Sequence, residues 1–287
     1  MTGRLFILGL GFCGLEIAKL AKAAGWDVAG TVRTADKAVR LRERGQEVHL
    51  FDGTGPLPDA ALGNASHVLC TIAPGETIGD PALQTSARLL RDAQWLGYLS
   101  TTGVYGDSGG AWVDENTPPR PGQPRSIRRL AAERGWQAIG SNSGASVDIF
   151  RLPGIYGPGR SAIDQVKAGT ARRIDKPGQV FSRIHVADVA GTVMAAIGRS
   201  RAGAVYNVAD DLPASTVDVV AFACELLGRP PPPVIPWDDA VAAMSPMARS
   251  FYAENRRVRN DRIKAELGVV LRYPTYREGL RAIAAGG

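Results

Sequence analysis

A short apolar run, Leu5-Phe6-Ile7-Leu8, leads straight into Gly9-Leu10-Gly11-Phe12-Cys13-Gly14, and Leu15, Ile17 and Ala18 follow with helical spacing. A strand, a Gly-x-Gly-x-x-Gly turn and a helix in that order constrain the fold more than any other feature here, because each glycine meets a different physical demand. Gly9 lets the backbone turn sharply off the strand, Gly11 lets it approach a pyrophosphate, and Gly14 lets the new helix pack closely on the sheet. Phe12 and Cys13 open a helix whose first N–H groups are unpaired and whose N-terminus carries partial positive charge, a ready seat for phosphate. Glycine-rich turns are common, and an ordinary strand-to-helix turn is the alternative. The strand before and the helix after favour dinucleotide binding.

Behind that turn, strands and helices alternate. Strands are expected at Trp26–Val32, Glu47–Phe51, His67–Ile72, Trp95–Thr101 and Val147–Arg151, with helices over Asp36–Arg44, Pro81–Ala93 and Arg125–Ile139. Such alternation requires crossover connections, and so a Rossmann-type doubly wound parallel α/β sheet. The rhythm then changes. Pro153–Arg160 is a Gly/Pro loop, Ile163–Gly178 is basic and polar, and Val205–Ala209 reads as a further strand. Gly228–Pro236 carries four consecutive prolines and reads as a stiff connector. Helices are expected at Trp237–Met247 and Arg259–Leu267, and a terminal one at Tyr276–Ala285. The expected organisation is a nucleotide domain of residues 1–155 plus about 180–210. A smaller, interleaved C-terminal substrate lobe takes about 156–179 and 211–275, and 276–287 form a terminal helix.

The net charge of +6 is modest and spread along the chain, which suits an anionic small ligand at least as well as nucleic acid. Cys13, Cys70 and Cys224 are isolated in apolar surroundings, with neither metal-ligand nor disulfide spacing. Reduced thiols, no metal and a cytoplasmic compartment are therefore expected. No apolar run approaches the roughly 18 residues of a membrane span.

The choice of nucleotide turns on the end of the second strand. An acidic residue binding the ribose 2′-hydroxyl would stand about 20 residues beyond the glycines. Gly30-Thr31-Val32-Arg33-Thr34 holds no carboxylate there, but does hold Arg33, flanked by Thr31 and Thr34. A carboxylate would repel a 2′-phosphate, whereas a guanidinium bonds it in a fork, so NADP(H) is expected over NAD(H). Asp52 either accepts from the adenine amine or closes its own Asp-Gly turn.

These residues and those downstream resemble the extended short-chain dehydrogenase/reductase superfamily, the NAD(P)-dependent epimerases and dehydratases. Thr71-Ile72-Ala73-Pro74 is similar to the family loop beside the cofactor phosphates and ribose. Ser100-Thr101-Thr102-Gly103-Val104-Tyr105-Gly106 is similar to the strand end that bears the catalytic hydroxyl, with Thr101 in its place. Arg151-Leu152-Pro153-Gly154-Ile155-Tyr156-Gly157-Pro158-Gly159 resembles the loop over the nicotinamide, and Arg183-Ile184-His185-Val186-Ala187-Asp188 and Tyr273-Pro274-Thr275-Tyr276 extend the match. The resemblance implies cofactor contacts from Ala73, Pro74, Arg129, Pro153, Gly154 and Ile155. It implies substrate contacts from Thr102, Tyr156 and Arg160, and allows a homodimer.

One departure cuts across the resemblance. The family pair is Tyr-x-x-x-Lys shortly before Leu-x-x-Glu. Here Arg125-Ser126-Ile127-Arg128-Arg129 precedes Leu130-Ala131-Ala132-Glu133, so Arg125 stands for the tyrosine and Arg129 for the lysine. Arginine stays protonated and cannot shuttle the proton that a ketone takes up on reduction. Tyr105 is the nearest replacement phenol, though it equally suits packing at the strand end. His185 is either a general base or a structural residue, and Asp188 is expected to cap the following helix. Arg172-Arg173 and Arg256-Arg257-Arg259 either recognise an anion or line a solvated face. Two functions remain open. One is an NADP(H)-dependent epimerase/dehydratase-like oxidoreductase on a small, sugar-like or anionic substrate, with Thr101 and Tyr105 catalytic and a non-standard acid/base. The other is a non-catalytic NADP(H)-binding sensor or interaction protein.

Overall fold

In the computed structural model, which describes residues 3–77, 79–199 and 203–286, the alternating pattern becomes a seven-stranded parallel sheet. The strands are β1 (Arg4–Leu8), β2 (Asp27–Val32), β3 (Glu47–Leu50), β4 (His67–Cys70), β5 (Trp95–Thr101), β6 (Trp112–Val113), β7 (Ser146–Leu152), β8 (Gly154–Tyr156), β9 (Arg173–Asp175), β10 (Arg183–His185), β11 (Val205–Asn207), β12 (Val234–Pro236) and β13 (Arg257–Val258). The helices are α1 (Phe12–Ala23), α2 (Ala35–Arg42), α3 (Pro81–Leu90), α4 (Pro124–Ser143), α5 (Ala162–Lys167), α6 (Val186–Ile197), α7 (Thr216–Leu226), α8 (Trp237–Val241), α9 (Pro246–Tyr252), α10 (Asp261–Leu267) and α11 (Tyr276–Ala284).

The main sheet runs β11-β7-β5-β4-β1-β2-β3. The chain builds outward from β1 through β2 to β3, then returns to β4 on the other side of β1. That reversal opens a crevice at the carboxyl ends of β1 and β4, where open α/β sheets bind ligands. β1 is apolar without alternation because both its faces are covered. Leu5 and Ile7 enter a core with α1 and α6, while Phe6 and Leu8 enter a second core with α3 and α4.

A buried polar network ties the second layer to the sheet. Arg151 on β7 donates from Nε and Nη2 to the two oxygens of Glu133 on α4, at 3.1 and 2.8 Å, and Ser100 Oγ donates to the same carboxylate at 2.5 Å. Both charged side chains are buried. Glu133 is the acid of the Leu-x-x-Glu segment, so this part of α4 has a structural task.

The smaller lobe is built from short pieces. β8 pairs with β10 and β9 with β12, and α5, α7 and α11 pack a separate core around Tyr156, Ile163, Val219, Phe222 and Leu280. Several expectations are corrected here. α7 lies where no helix was expected. Trp237–Met247 is two helices, because Pro246 starts α9 afresh with Ser245 as its cap. The proline-rich connector ends in a strand, β12. α10 packs on α6 and β11 and puts Ile263 and Leu267 into the main core, and Leu271 after it joins them, so 211–275 does not belong wholly to the lobe. No helix among the described residues is long and apolar enough to cross a membrane.

Candidate cofactor and substrate site

The glycine turn has the geometry its spacing implies. Gly9 has φ +97°, and a β-carbon on it would lie 2.7 Å from Thr71 Oγ1. One on Gly14 would strike the Gly9 carbonyl oxygen, so α1 can approach the sheet only without a side chain there. Gly11 caps α1, and a β-carbon on it would meet nothing within 4 Å. The turn is held by Thr31, whose hydroxyl accepts from Gly9 N at 2.9 Å and whose carbonyl accepts from Leu10 N at 2.7 Å. Cys13 is buried, which pushes its thiol up to about 11, so it enters as the second residue of the helix and not as a thiolate.

Beside the turn lies a cavity of about 510 Å³ lined by Gly9, Gly11, Arg33, Thr34, Asp52 and Ala73, with Pro74 next to Ala73 in the same loop. Lys37, on the first turn of α2, lines it too and was missed in the sequence. Its signal was its place on the first turn of the helix that follows Arg33, which puts both cations on the cavity lining. Arg33 is exposed. Asp52 is the sole acid among the described lining residues. It closes its own turn, accepting from Thr54 N at 2.9 Å and from Thr54 Oγ1 at 2.8 Å, and these bonds lower its pKa.

Arg125 and Arg129, which the resemblance set in place of an acid/base pair, make contacts within the fold. Arg125 donates to Ser250 Oγ at 2.7 Å and stacks 4.2 Å from the Phe251 ring, docking α9 onto the start of α4. Arg129 donates to the Leu99 carbonyl at 2.7 Å and lies over the Tyr98 ring. Tyr105 is buried, gives its proton to Asn207 Oδ1 at 2.8 Å, and has the Arg151 guanidinium over its ring. Burial raises its pKa further, so the packing account of Tyr105 fits better than that of a proton donor. Thr101 is half-buried at the end of β5 and accepts from Gly103 N at 3.1 Å, while Thr102 is buried. Ser126, one residue beyond Arg125, also reaches this corner. A β-carbon on Gly103 would lie 2.6 Å from its hydroxyl and 3.3 Å from that of Thr101. Nothing in the sequence pattern marked Ser126, because the contact depends on how α4 meets the strand end.

A second cavity, about 570 Å³, opens on the lobe side. Gly154, Ile155 and Tyr156 form one wall, and Arg160, Arg172 and Arg183 bring guanidinium groups to it. Tyr156 donates to the Thr275 carbonyl at 3.4 Å, and burial raises its pKa. Arg183 donates to the carbonyls of Phe181 and Ala214, and desolvation lowers its pKa. Near it Asp210 is buried with Oδ2 unpartnered, and burial pushes its carboxyl up to about 8 against the pull of Arg183. Arg173, Arg256 and Arg257 spend donors on the carbonyls of Pro232, Gly106 and Gly110, so the basic clusters are largely structural. The structural account of His185 fits, and it, not Asp188, takes the capping role. His185 caps α6, accepting at Nδ1 from Ala187 N at 3.1 Å, and burial lowers its pKa to about 4. Asp188 instead accepts from the backbone N–H groups of Arg272 and Tyr273 at 2.6 and 3.1 Å.

The model of the NAD-dependent epimerase/dehydratase family matches residues 5–209. The solved structure of a functionally unknown conserved protein from Silicibacter pomeroyi DSS is 46% identical, with a TM-score of 0.88 and 99% of each chain covered. Protein YeeZ of Escherichia coli K12 is 31% identical over 242 residues, 80% of this chain and 85% of YeeZ. A 3-diazoavenalumate denitrifying reductase of a Streptomyces species is 28% identical over 186 residues, 58% of each chain.

Proposed function

The chain belongs to the NAD-dependent epimerase/dehydratase family, and from that premise we propose that it is an NADP(H)-dependent oxidoreductase acting on a small anionic substrate in the lobe cavity. The observation that carries the cofactor choice is Arg33 and Lys37 on the wall of the cavity that Gly9 and Gly11 also line. Two cations attract a 2′-phosphate, and the carboxylate in that cavity, Asp52, is held by Thr54. The residues fit such a dinucleotide: Gly11 leaves space where a phosphate would approach, and the first N–H groups of α1 open toward it. The dinucleotide, when bound, supplies or takes up a hydride.

The chain's own residues hold and orient. Gly154 and Ile155 line the lobe cavity, with Pro153 next to them in the chain, and Thr101 stands at the end of β5, with the buried Thr102 after it, where a substrate oxygen would be oriented. Arg172 and Arg183, which line the cavity, attract the substrate's anionic part. Arg125 and Arg129 are engaged with Ser250 and the Leu99 carbonyl, and Tyr105 donates its hydroxyl proton to Asn207. A proton for the product therefore comes from water or from the substrate itself. The reductase among the relatives supports hydride transfer. The commitment of Arg125, Arg129 and Tyr105 to structural contacts supports a second reading, a non-catalytic NADP(H)-binding protein.

Calorimetric titration with NADPH and NADH tests the cofactor choice. The intact protein is expected to prefer NADPH by at least about tenfold, one charge-assisted contact's worth, and Arg33→Ala to lose most of that preference. Equal or tighter binding of NADH would refute it. Oxidation of NADPH in the presence of aldehydes, ketones or nucleotide sugars supports the oxidoreductase. Tight NADPH binding with no turnover across that panel supports the binding protein.

A further inference from the structure

The start of α1 faces a cation delivered from far along the chain. Gly157 and Arg160 exchange backbone hydrogen bonds of 3.2 and 3.0 Å across a tight turn, with Gly159 at φ +76°. Gly157 lies flat on Phe12, so that a β-carbon on it would sit 3.1 Å from the edge of the ring. The turn thereby carries the Arg160 guanidinium over that ring, 5.6 Å from its centroid. Phe12 is the first residue of α1, immediately after Gly11. Arg160 is exposed and, among the described residues, has no hydrogen bond from its side chain and no ion pair. Its charge reaches the helix start, since it draws the Cys13 thiol down against the upward push of burial.

Three features thus meet around Phe12: the first N–H groups of α1, the open space at the preceding Gly11 and the Arg160 guanidinium over the Phe12 ring. Arg160 also borders the lobe cavity, but Arg172 and Arg183 already serve that side. We propose that Arg160 binds the pyrophosphate of the dinucleotide, closing over the glycine turn from the lobe side, and is a cofactor residue more than a substrate residue. This rests on the cofactor reading above. A guanidinium lying on an aromatic face keeps its in-plane N–H groups free, and their fork matches two phosphate oxygens.

The test measures binding of NADPH, NADH and adenosine 2′-monophosphate to the intact protein, Arg160→Ala and Arg33→Ala by calorimetry. Arg160→Ala is expected to weaken NADPH and NADH by the same factor, about 10- to 100-fold. It should leave the ratio between them intact and adenosine 2′-monophosphate unaffected. Arg33→Ala should do the opposite, collapsing the ratio and weakening the monophosphate. Arg160 is exposed, so its variant should keep the thermal midpoint of the intact protein. Unchanged dinucleotide affinity in Arg160→Ala, or an equal loss for the monophosphate, overturns the assignment while leaving the cofactor reading in place. Failure of the intact protein to bind either dinucleotide overturns both.

Discussion

A methyl group added at Gly11 would meet no atom within 4 Å, whereas at Gly14 it would strike the carbonyl oxygen of Gly9. Gly11 also has φ −87°, a value any residue adopts, so no backbone strain protects it. Gly11→Ala is therefore expected to fold with an unchanged or slightly raised thermal midpoint, because it only removes freedom from the unfolded chain. The same methyl would occupy the phosphate seat, and NADPH affinity should fall at least about tenfold, the worth of one displaced charge-assisted contact. Gly14→Ala forces the helix off the strand and should cost about 1–3 kcal/mol of stability, as overpacked cores do. Chemical denaturation read beside calorimetry separates the two; a destabilised Gly11→Ala with normal affinity would contradict the assignment of roles. The open space at Gly11 and the close packing at Gly14 were both legible in the sequence because a six-residue motif fixes them. The partners of Tyr105 and Asp52 were not, since two accounts of each residue differ only in which acceptor or donor the tertiary fold brings near.

At the level of elements, α4 ties several parts of the fold together. Its first turn docks α9 through Arg125, its middle holds the Leu99 carbonyl through Arg129, and its next turn buries Glu133 against Arg151. Removing one member of a buried pair leaves an uncompensated charge and costs about 3–5 kcal/mol, whereas replacing both with apolar residues of similar size is often neutral. Glu133→Leu alone should thus lower the urea midpoint sharply, and Glu133→Leu with Arg151→Met should recover much of it. Additive losses in the double variant would remove the pair from its place in the fold. The strands and helices of the main sheet could be read because their apolar spacing is long and regular. α7 was not read, because Thr216-Val217-Asp218-Val219-Val220-Ala221-Phe222 is rich in β-branched residues and its helical state comes from the Ser215 cap and from packing in the lobe core. The two-residue pairing of β13 with β6 has no local signal at all, since its partners lie far apart in the chain.

For the whole molecule, two buried groups push stability in opposite directions with pH. His185 titrates near 4 in the fold against 6.5 when free, so the unfolded chain binds the extra proton between those values and stability rises with pH there. Asp210 titrates near 8 in the fold against 3.8, so the folded chain binds the extra proton and its contribution is lost as pH rises from about 4 to 8. The two contributions oppose each other up to about pH 6.5, and above that Asp210 acts without the histidine. Asp210→Asn should therefore gain stability over the intact protein as pH rises toward 8, by at most about 1.4 kcal/mol per pH unit. Denaturation curves at pH 5, 6.5 and 8 check this, and a constant difference between the two proteins would exclude an elevated Asp210.

The lobe cavity has a history written in its connectivity. The chain leaves the main sheet at β8 for α5 and β9, returns through β10 into α6, and leaves again after β11 for α7, β12, α8 and α9. It comes back through β13 into α10 and departs a last time for α11. The pocket wall is accordingly stitched from stretches near 154–172, 216–220 and 276–280, together with Arg183. No single cut excises it, and no single exchange of a contiguous segment between two relatives would transfer its ligand preference. A chain built this way changes the lining of that pocket one side chain at a time, whereas the cavity beside the glycine turn is lined from one contiguous stretch between Gly9 and Pro81 that can be inherited as a block.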